Sequence, residues 1–205
     1  MNISDFDFDL PENLIALRPV KPRATSKLLV SRGTLTEDRN FYDLSKYLRP
    51  GDRLVLNNTK VIPARINGKR RRISDQGETF ASIEITLISC DTKGDWLSLA
   101  KPARRLKVGE EIQFMEGLTA EVLSKSSDGV GLRFNIQGND FDETIARIGT
   151  MPLPPYIAAK RPADALDNTD YQTVFAKNLG AVAAPTASLH FDEELMDKLR
   201  AKGIT

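Results

Sequence analysis

The sequence contains few of the side chains from which metal sites and disulfides are built. Among its 205 residues there is one cysteine, Cys90, and one histidine, His190. A single cysteine forms neither an internal disulfide nor a thiolate metal cluster, and a single histidine excludes a histidine-rich metal site. We therefore expect no bound metal ion, and we expect the reducing cytoplasm as the location of the protein.

Long apolar runs and an excess of one charge are also missing. No apolar run approaches the roughly 20 residues that cross a bilayer, so we expect no membrane partner. Asp5, Asp7 and Asp9 make the start of the chain unlike a secretory signal or a transit peptide. The formal net charge is only +1, so a nucleic-acid partner would have to be held by a local basic patch.

What the sequence does contain is a composition typical of a globular protein, with 40% hydrophobic and 28% charged residues. In its middle part, apolar and polar residues alternate along 81–87, 118–122 and 130–136, which is the period of half-buried strands. Asp128 and Gly129 form a strong hairpin signal between two of these runs. Several short strands joined by tight turns predict a small antiparallel β-barrel.

The flanking parts have a mixed α and β pattern. We predict a buried strand over 52–56, a helix over 140–148 and a mobile surface loop over 161–169. The predicted fold class is therefore a mixed α/β domain, formed by 1–62 and 150–205, with an antiparallel β-barrel inserted over 63–149.

The stretch 180–191, together with the residues after it, has the pattern of a strand, a ligand-binding loop and a helix. Small residues come first, and we predict an extended segment there, followed by a polar loop with Thr186, Ser188 and His190. A helix over 192–202 follows, with Asp192 as its N-cap and Gly203 at its end. In open α/β folds, ligands bind at loops that connect a strand to the following helix. A lone histidine, however, is more often structural than catalytic.

Several segments along the whole chain carry a resemblance to a known family. They are 4–13, 56–65, 151–157, 171–176 and 180–191. All five resemble motifs of the S-adenosylmethionine:tRNA ribosyltransferase-isomerases of queuosine biosynthesis. The chain departs from the usual motifs at Asn58, Lys60 and Ser188, where the family has aspartate, arginine and glycine. The family's chain also continues well beyond Thr205, so the resemblance implies that the α/β domain is incomplete here.

The resemblance implies a tRNA-modifying transferase and isomerase. The family moves the ribosyl group of S-adenosylmethionine onto 7-aminomethyl-7-deazaguanine at the tRNA wobble position, giving epoxyqueuosine and releasing adenine and methionine. S-adenosylmethionine is then a substrate, with no bound cofactor. We assign catalysis to His190 and Thr186, because a neutral-pH titrating group suits proton transfer. The expected substrate ligands are Asn57, Thr59, Lys60, Arg65, Tyr156, Gln172, Thr173 and Ser188.

Two clusters of cations within the predicted barrel are candidates for tRNA binding. They comprise Lys69, Arg70, Arg71 and Arg72, and then Lys101, Arg104, Arg105 and Lys107. Several cations on one face favour phosphate binding, although an isolated basic cluster is usually only solvated surface. Sequence leaves open whether the two clusters share a face.

Two other functional interpretations remain open. One is a non-catalytic RNA-binding module that uses only the barrel. The other is a truncated enzyme, folded but weakly active or inactive, because no strand follows the predicted helix over 192–202. Ribosyl transfer to precursor tRNA, compared with tRNA binding, distinguishes them.

Overall fold

The computed structural model describes residues 1–74, 77–181 and 183–205. Two compact units form: Met1–Asp52 together with Asp192–Thr205, and Arg53–Phe191. The predicted barrel segment 63–149 lies within the second unit. Val182, which belongs to the predicted extended segment, lies outside the described residues. In the described ranges, no helix is both long and apolar enough to cross a membrane.

The first unit is built from a hairpin, short 3-10 turns and one helix. Strands β1 (Lys27–Arg32) and β2 (Leu35–Asn40) pair antiparallel, and the longest 3-10 turn is Phe41–Lys46. Its helix, Glu193–Ala201, buries Leu195 and Leu199. Asp192 caps that helix by accepting a hydrogen bond from the Leu195 amide at 2.9 Å, which confirms the predicted N-cap.

The second unit begins with a segment that sequence alone interprets wrongly. Residues 52–58 are not a strand, and Val55 is 91% exposed. The strand β3 is Thr59–Val61 instead. An apolar run becomes a strand only when another strand supplies ladder hydrogen bonds, and in the described chain that partner is available only from Thr59 onward.

Six strands then close into an antiparallel barrel, as predicted. They are β4 (Arg65–Ser74), β5 (Gly77–Cys90), β6 (Trp96–Lys101), β7 (Glu111–Gln113), β8 (Thr119–Lys125) and β9 (Val130–Phe134). Around the barrel the order is β4-β5-β6-β9-β8-β7. Alternate residues of these strands point inward and form one apolar core that includes Ile66, Ile85, Ile112 and Leu132.

Helix α1 (Gly138–Ile148) completes the barrel core. Its residues Phe141 and Ile145 belong to the same buried cluster, and the Phe141 ring lies 4.8 Å from that of Phe134 and 5.4 Å from that of Trp96. The predicted helix over 140–148 is therefore confirmed. It stabilises the barrel by covering apolar side chains.

Beyond α1 the chain forms short elements: α2 (Pro155–Ala158), α3 (Asp167–Asp170) and β10 (Asn178–Ala181). Strand β10 pairs parallel with β3, so that Asn178 lies opposite Thr59. The helix of the first unit, Glu193–Ala201, is α4. The antiparallel barrel and the parallel pair together establish the predicted mixed α/β fold with a barrel.

Candidate functional site

The segment that carries the candidate catalytic residues is a 3-10 helix, Thr186–His190, and not the predicted loop. Pro185 precedes it, and the Ser188 amide donates to the Pro185 carbonyl at 2.8 Å. The fixed φ of proline favours such a turn start, and polar residues tolerate the tight geometry. Within the turn Thr186 is exposed, His190 is half-buried and Ser188 is buried.

The segment 171–175 contacts both β3 and the residue that follows this turn. The Gln172 side-chain amide donates to the Val61 carbonyl at 2.6 Å and accepts from the Val61 amide at 3.0 Å. The Phe175 ring meets Phe191 edge-on at 5.4 Å between centroids. Thr173 is buried, and its hydroxyl accepts from the Phe175 amide at 3.3 Å. Three of the predicted motif regions therefore meet in one place.

The polar turn before β3 has a local structural role. The Asn57 carboxamide oxygen accepts from the Thr59 amide at 2.8 Å and from the Thr59 hydroxyl at 2.7 Å. The Asn58 carbonyl accepts from the Lys177 and Asn178 amides. Because β3 and β10 run parallel, this turn lies at the end of the pair opposite to the one from which the 183–190 segment leaves.

Three other predicted substrate ligands lie on elements other than the 3-10 helix. Lys60 is exposed, and Tyr156 on α2 is 57% exposed. Arg65 begins β4, where its main chain bonds Thr150 and its guanidinium lies 4.0 Å from Glu84.

The arginines of the first basic cluster are held by acidic or carbonyl groups of the barrel. Arg70 is 9% exposed, and its guanidinium donates to the Arg105 carbonyl and lies 3.8 Å from Glu110. Arg72 bonds the same Glu110 carboxylate at 3.2 Å. Arg71 pairs with Glu78 across the strands. Much of the charge of these arginines is thus neutralised within the protein.

The two basic clusters nevertheless share surfaces, which answers the question that sequence left open. Lys69 and Lys101 line one cleft of about 790 Å³. Arg71, Arg72 and Lys107 line a second cleft of about 640 Å³. The remaining predicted cations, Arg104 and Arg105, are exposed on the 3-10 turn Ala103–Arg105. The first cluster lies on β4, and Lys101 of the second cluster ends β6. Only β5 separates these two strands in the barrel, so the clusters lie near each other.

Sequence reasoning did not single out Glu110, Asn67 or Gln113. Glu110 organises the arginines, and its signal in the sequence is only an acidic residue shortly after the second basic run. Asn67 and Gln113 line the cleft with Lys69 and Lys101, and the register that pairs Gln113 with Lys69 is visible only in the folded barrel.

Nothing in the described residues provides a metal site or a thiol nucleophile. No group of three His, Cys, Asp or Glu side chains is placed there to hold a metal ion. Burial raises the pKa of the Cys90 thiol, and the nearby Asp91 carboxylate raises it further. Cys90 is therefore mostly protonated at neutral pH and a poor nucleophile.

Comparison with known protein families identifies the family of this chain. The chain belongs to the queuosine biosynthesis protein family, whose sequence profile matches residues 3–205. The S-adenosylmethionine:tRNA ribosyltransferase-isomerase of Dinoroseobacter shibae is 59% identical over 206 residues, which cover 100% of this chain and 58% of that protein. The same-named protein of Ruegeria pomeroyi is 57% identical over 205 residues, covering 100% and 59%.

A solved structure also matches. The crystal structure of S-adenosylmethionine tRNA ribosyltransferase from Thermotoga maritima is 36% identical and covers 98% of this chain and 56% of that one, with a TM-score of 0.39. The chain therefore spans somewhat less than three fifths of the length of the relatives that it matches.

Proposed function

We propose that this chain takes part in transfer and isomerisation of the ribosyl group of S-adenosylmethionine onto 7-aminomethyl-7-deazaguanine in tRNA. The products are epoxyqueuosine in tRNA, adenine and methionine, and the ribosyl donor is consumed as a substrate. The observation that supports this proposal is the identity of 59% and 57% to relatives of that name along the whole chain. The tRNA substrate also implies a cytoplasmic location.

The proposed catalytic region is the 3-10 helix Thr186–His190 and the segment 171–175 beside it. Ribosyl transfer of this kind requires a base that removes a proton next to the sulfonium and a proton for the departing adenine. His190 has the only imidazole in the sequence, and it is half-buried next to Phe191, which packs on Phe175. We assign proton transfer to His190 and substrate orientation to Thr186.

The proposed tRNA-binding surface is the outside of the barrel. In the described part of the chain, Lys69, Lys101, Arg104 and Arg105 have no carboxylate within ion-pairing distance, unlike Arg70, Arg71 and Arg72. An unpaired cation gains more from a phosphate than one that must first give up a partner. We therefore propose that the unpaired group makes the phosphate contacts.

A protein of residues 1–205 should have little or no ribosyltransferase activity by itself. Among the described residues, β3 and β10 form a sheet of only two strands, and such a sheet is marginally stable alone. We propose that the further length of the relatives supplies the rest of this domain. Radiolabelled ribosyl transfer should be measured for residues 1–205 and for a chimera extended with the C-terminal part of the Ruegeria pomeroyi relative.

We expect product only from the chimera. The chimera without S-adenosylmethionine serves as the inactive reference, and the tRNA must carry the aminomethyl precursor. Full turnover by a purified monomer of residues 1–205 would contradict this prediction.

A non-catalytic RNA-binding module is the second candidate function, and one observation favours it. The barrel closes through its own strands, all of which lie within this chain. Residues 1–205 are then expected to bind tRNA even where they do not transfer ribose. A gel shift with tRNA and no ribosyl transfer by the chimera would support the module over the enzyme.

A further inference from the structure

We propose that the cleft lined by Lys69 and Lys101 is a subsite for one unpaired nucleotide of RNA. This proposal rests on the proposed function, because it assumes that the partner is RNA. Strands β4, β5 and β7 form the walls together with residues 101–102 and 114–115. The cleft has a volume of about 790 Å³, which is large enough to hold a base and its phosphate.

The charges of the cleft favour a phosphate. Lys69 and Lys101 are exposed, and in the described part of the chain neither ammonium group has a carboxylate partner. One carboxylate, that of Glu84, also lines the cleft, but it faces the Arg65 guanidinium at 4.0 Å. A phosphate placed near both lysines would receive charge-assisted hydrogen bonds from each and would relieve their mutual repulsion.

Polar side chains beside the lysines match the edge of a base. Asn67 is exposed and lies on β4 two residues before Lys69, so both side chains are on the same face of the strand. Gln113 lies opposite Lys69 on β7, and its amide nitrogen donates to Glu111 at 3.0 Å. Carboxamides both donate and accept hydrogen bonds, as the Watson–Crick edges of unpaired bases require.

The apolar part of the cleft surface is Met115, which is 67% exposed. Phe114, the residue before it, belongs to the barrel interior instead. A Cβ atom at Gly68 would lie 2.8 Å from two atoms of the Phe114 ring, and Gly68 faces inward because Asn67 and Lys69 on either side of it face outward. The Phe114 ring packs against the barrel core and lies 5.8 Å from the ring of the buried Phe134. The face of a base can therefore contact the Met115 side chain.

These features favour an unpaired nucleotide over a paired one. In an RNA duplex the base faces are stacked and the base edges are paired, so neither the amides nor the apolar wall could be used. Lysines alone would bind a duplex equally well through its phosphates. The combination of lysines without a carboxylate partner, carboxamides and the exposed Met115 favours a nucleotide that has left the stack.

The test compares residues 1–205 with the variants Lys69→Gln, Lys101→Gln and Asn67→Ala, and with Lys93→Gln as the matched control. Lys93 is an exposed lysine in the turn between β5 and β6, away from the cleft. Fluorescence anisotropy measures binding of a hairpin RNA with a seven-nucleotide loop and of a fully paired RNA of the same length, each over a range of salt concentrations. Circular dichroism melting checks that every variant is folded.

We expect each of the two lysine variants to bind the loop RNA roughly tenfold more weakly and to lower the salt slope by about 0.7, which is the loss of one single-strand phosphate contact. Asn67→Ala should weaken loop binding without a change of slope, because a base edge carries no charge. Binding of the paired RNA should fall less than binding of the loop RNA for the lysine variants and stay unchanged for Asn67→Ala, and Lys93→Gln should behave as the unaltered protein does.

Equal losses for loop and paired RNA would overturn the proposal, since the cleft would then be a general phosphate surface. Displacement of the loop RNA by polyglutamate at equal charge concentration would also overturn it, as would lysine variants no weaker than Lys93→Gln. The binding measurement needs no S-adenosylmethionine, so its outcome is independent of the ribosyl-transfer assay. Loop-specific losses in a protein whose chimera transfers no ribose would retain the subsite and reject the enzyme.

Discussion

Replacing His190 by alanine in the active chimera should lower the turnover number of ribosyl transfer by about 10²–10⁴-fold, the range typical of a lost general acid or base. The structural reason is the position of this residue. His190 ends the 3-10 helix Thr186–His190 and is half-buried, next to the Phe175–Phe191 contact that joins the helix to 171–175. An imidazole in such a place is shielded enough to act on a substrate and exposed enough to exchange protons.

Thr186→Ala should reduce turnover less, because an exposed hydroxyl orients a substrate and does not transfer the proton. Initial rates with precursor tRNA, together with melting temperatures, measure both variants. Addition of free imidazole should restore part of the activity of His190→Ala and none of that of Thr186→Ala. Both residues are structural if the melting temperature collapses while the remaining folded enzyme turns over normally.

Replacing Asp167 by asparagine should lower the free energy of unfolding of the second unit by about 3–5 kcal/mol, because it removes the buried carboxylate charge that pairs with a largely buried guanidinium. The Asp167 side chain is completely buried, and that of Arg161 is 14% exposed. Two hydrogen bonds join them, at 2.6 and 2.9 Å, and the Asp164 amide donates to the same carboxylate at 2.8 Å. The pair raises the pKa of Arg161 through its hydrogen bonds with Asp167.

Urea unfolding followed by fluorescence measures this loss. Glu78→Gln is the matched control, because its ion pair with Arg71 is about 40% exposed on both sides, and it should cost at most about 1 kcal/mol. The double variant Arg161→Met with Asp167→Leu should recover most of the loss, since a buried ion pair replaced by apolar residues is often neutral. A change below 1 kcal/mol for Asp167→Asn would show that the pair contributes little.

The buried ion pair between Arg161 and Asp167 could not be predicted from the sequence. The polar stretch 161–169 has the composition of a mobile surface loop, and most of it is an exposed loop, since residues 161–166 form no helix or strand. Its end differs from that prediction: α3 forms at Asp167–Asp170, and the Asp167 carboxylate is buried against Arg161. Composition alone does not distinguish a solvated charge from a buried, paired one, because the difference depends on what covers the side chain.

Local sequence patterns alone were sufficient to predict several strands and one helix. The alternation along 81–87, 118–122 and 130–136 predicted barrel strands, because a half-buried strand needs only a period of two. Asp192 and Gly203 predicted the ends of α4, because the signals that begin and end a helix are also local. The cap bonds an amide three residues away, and Gly203 adopts a φ of +79° that other residues rarely take.

Tertiary structure alone decided what depends on distant partners. The strand of the parallel pair is Thr59–Val61, because β10 supplies its hydrogen bonds from more than a hundred residues away. Gln172 bonds the Val61 main chain across 111 positions, which no local pattern contains. The sequence likewise determined that the barrel is rich in cations, but the folded register decided which of them meet Glu78 or Glu110 and which stay unpaired. Ion pairing depends on distances of a few ångströms in space, and spacing along the chain does not specify those distances.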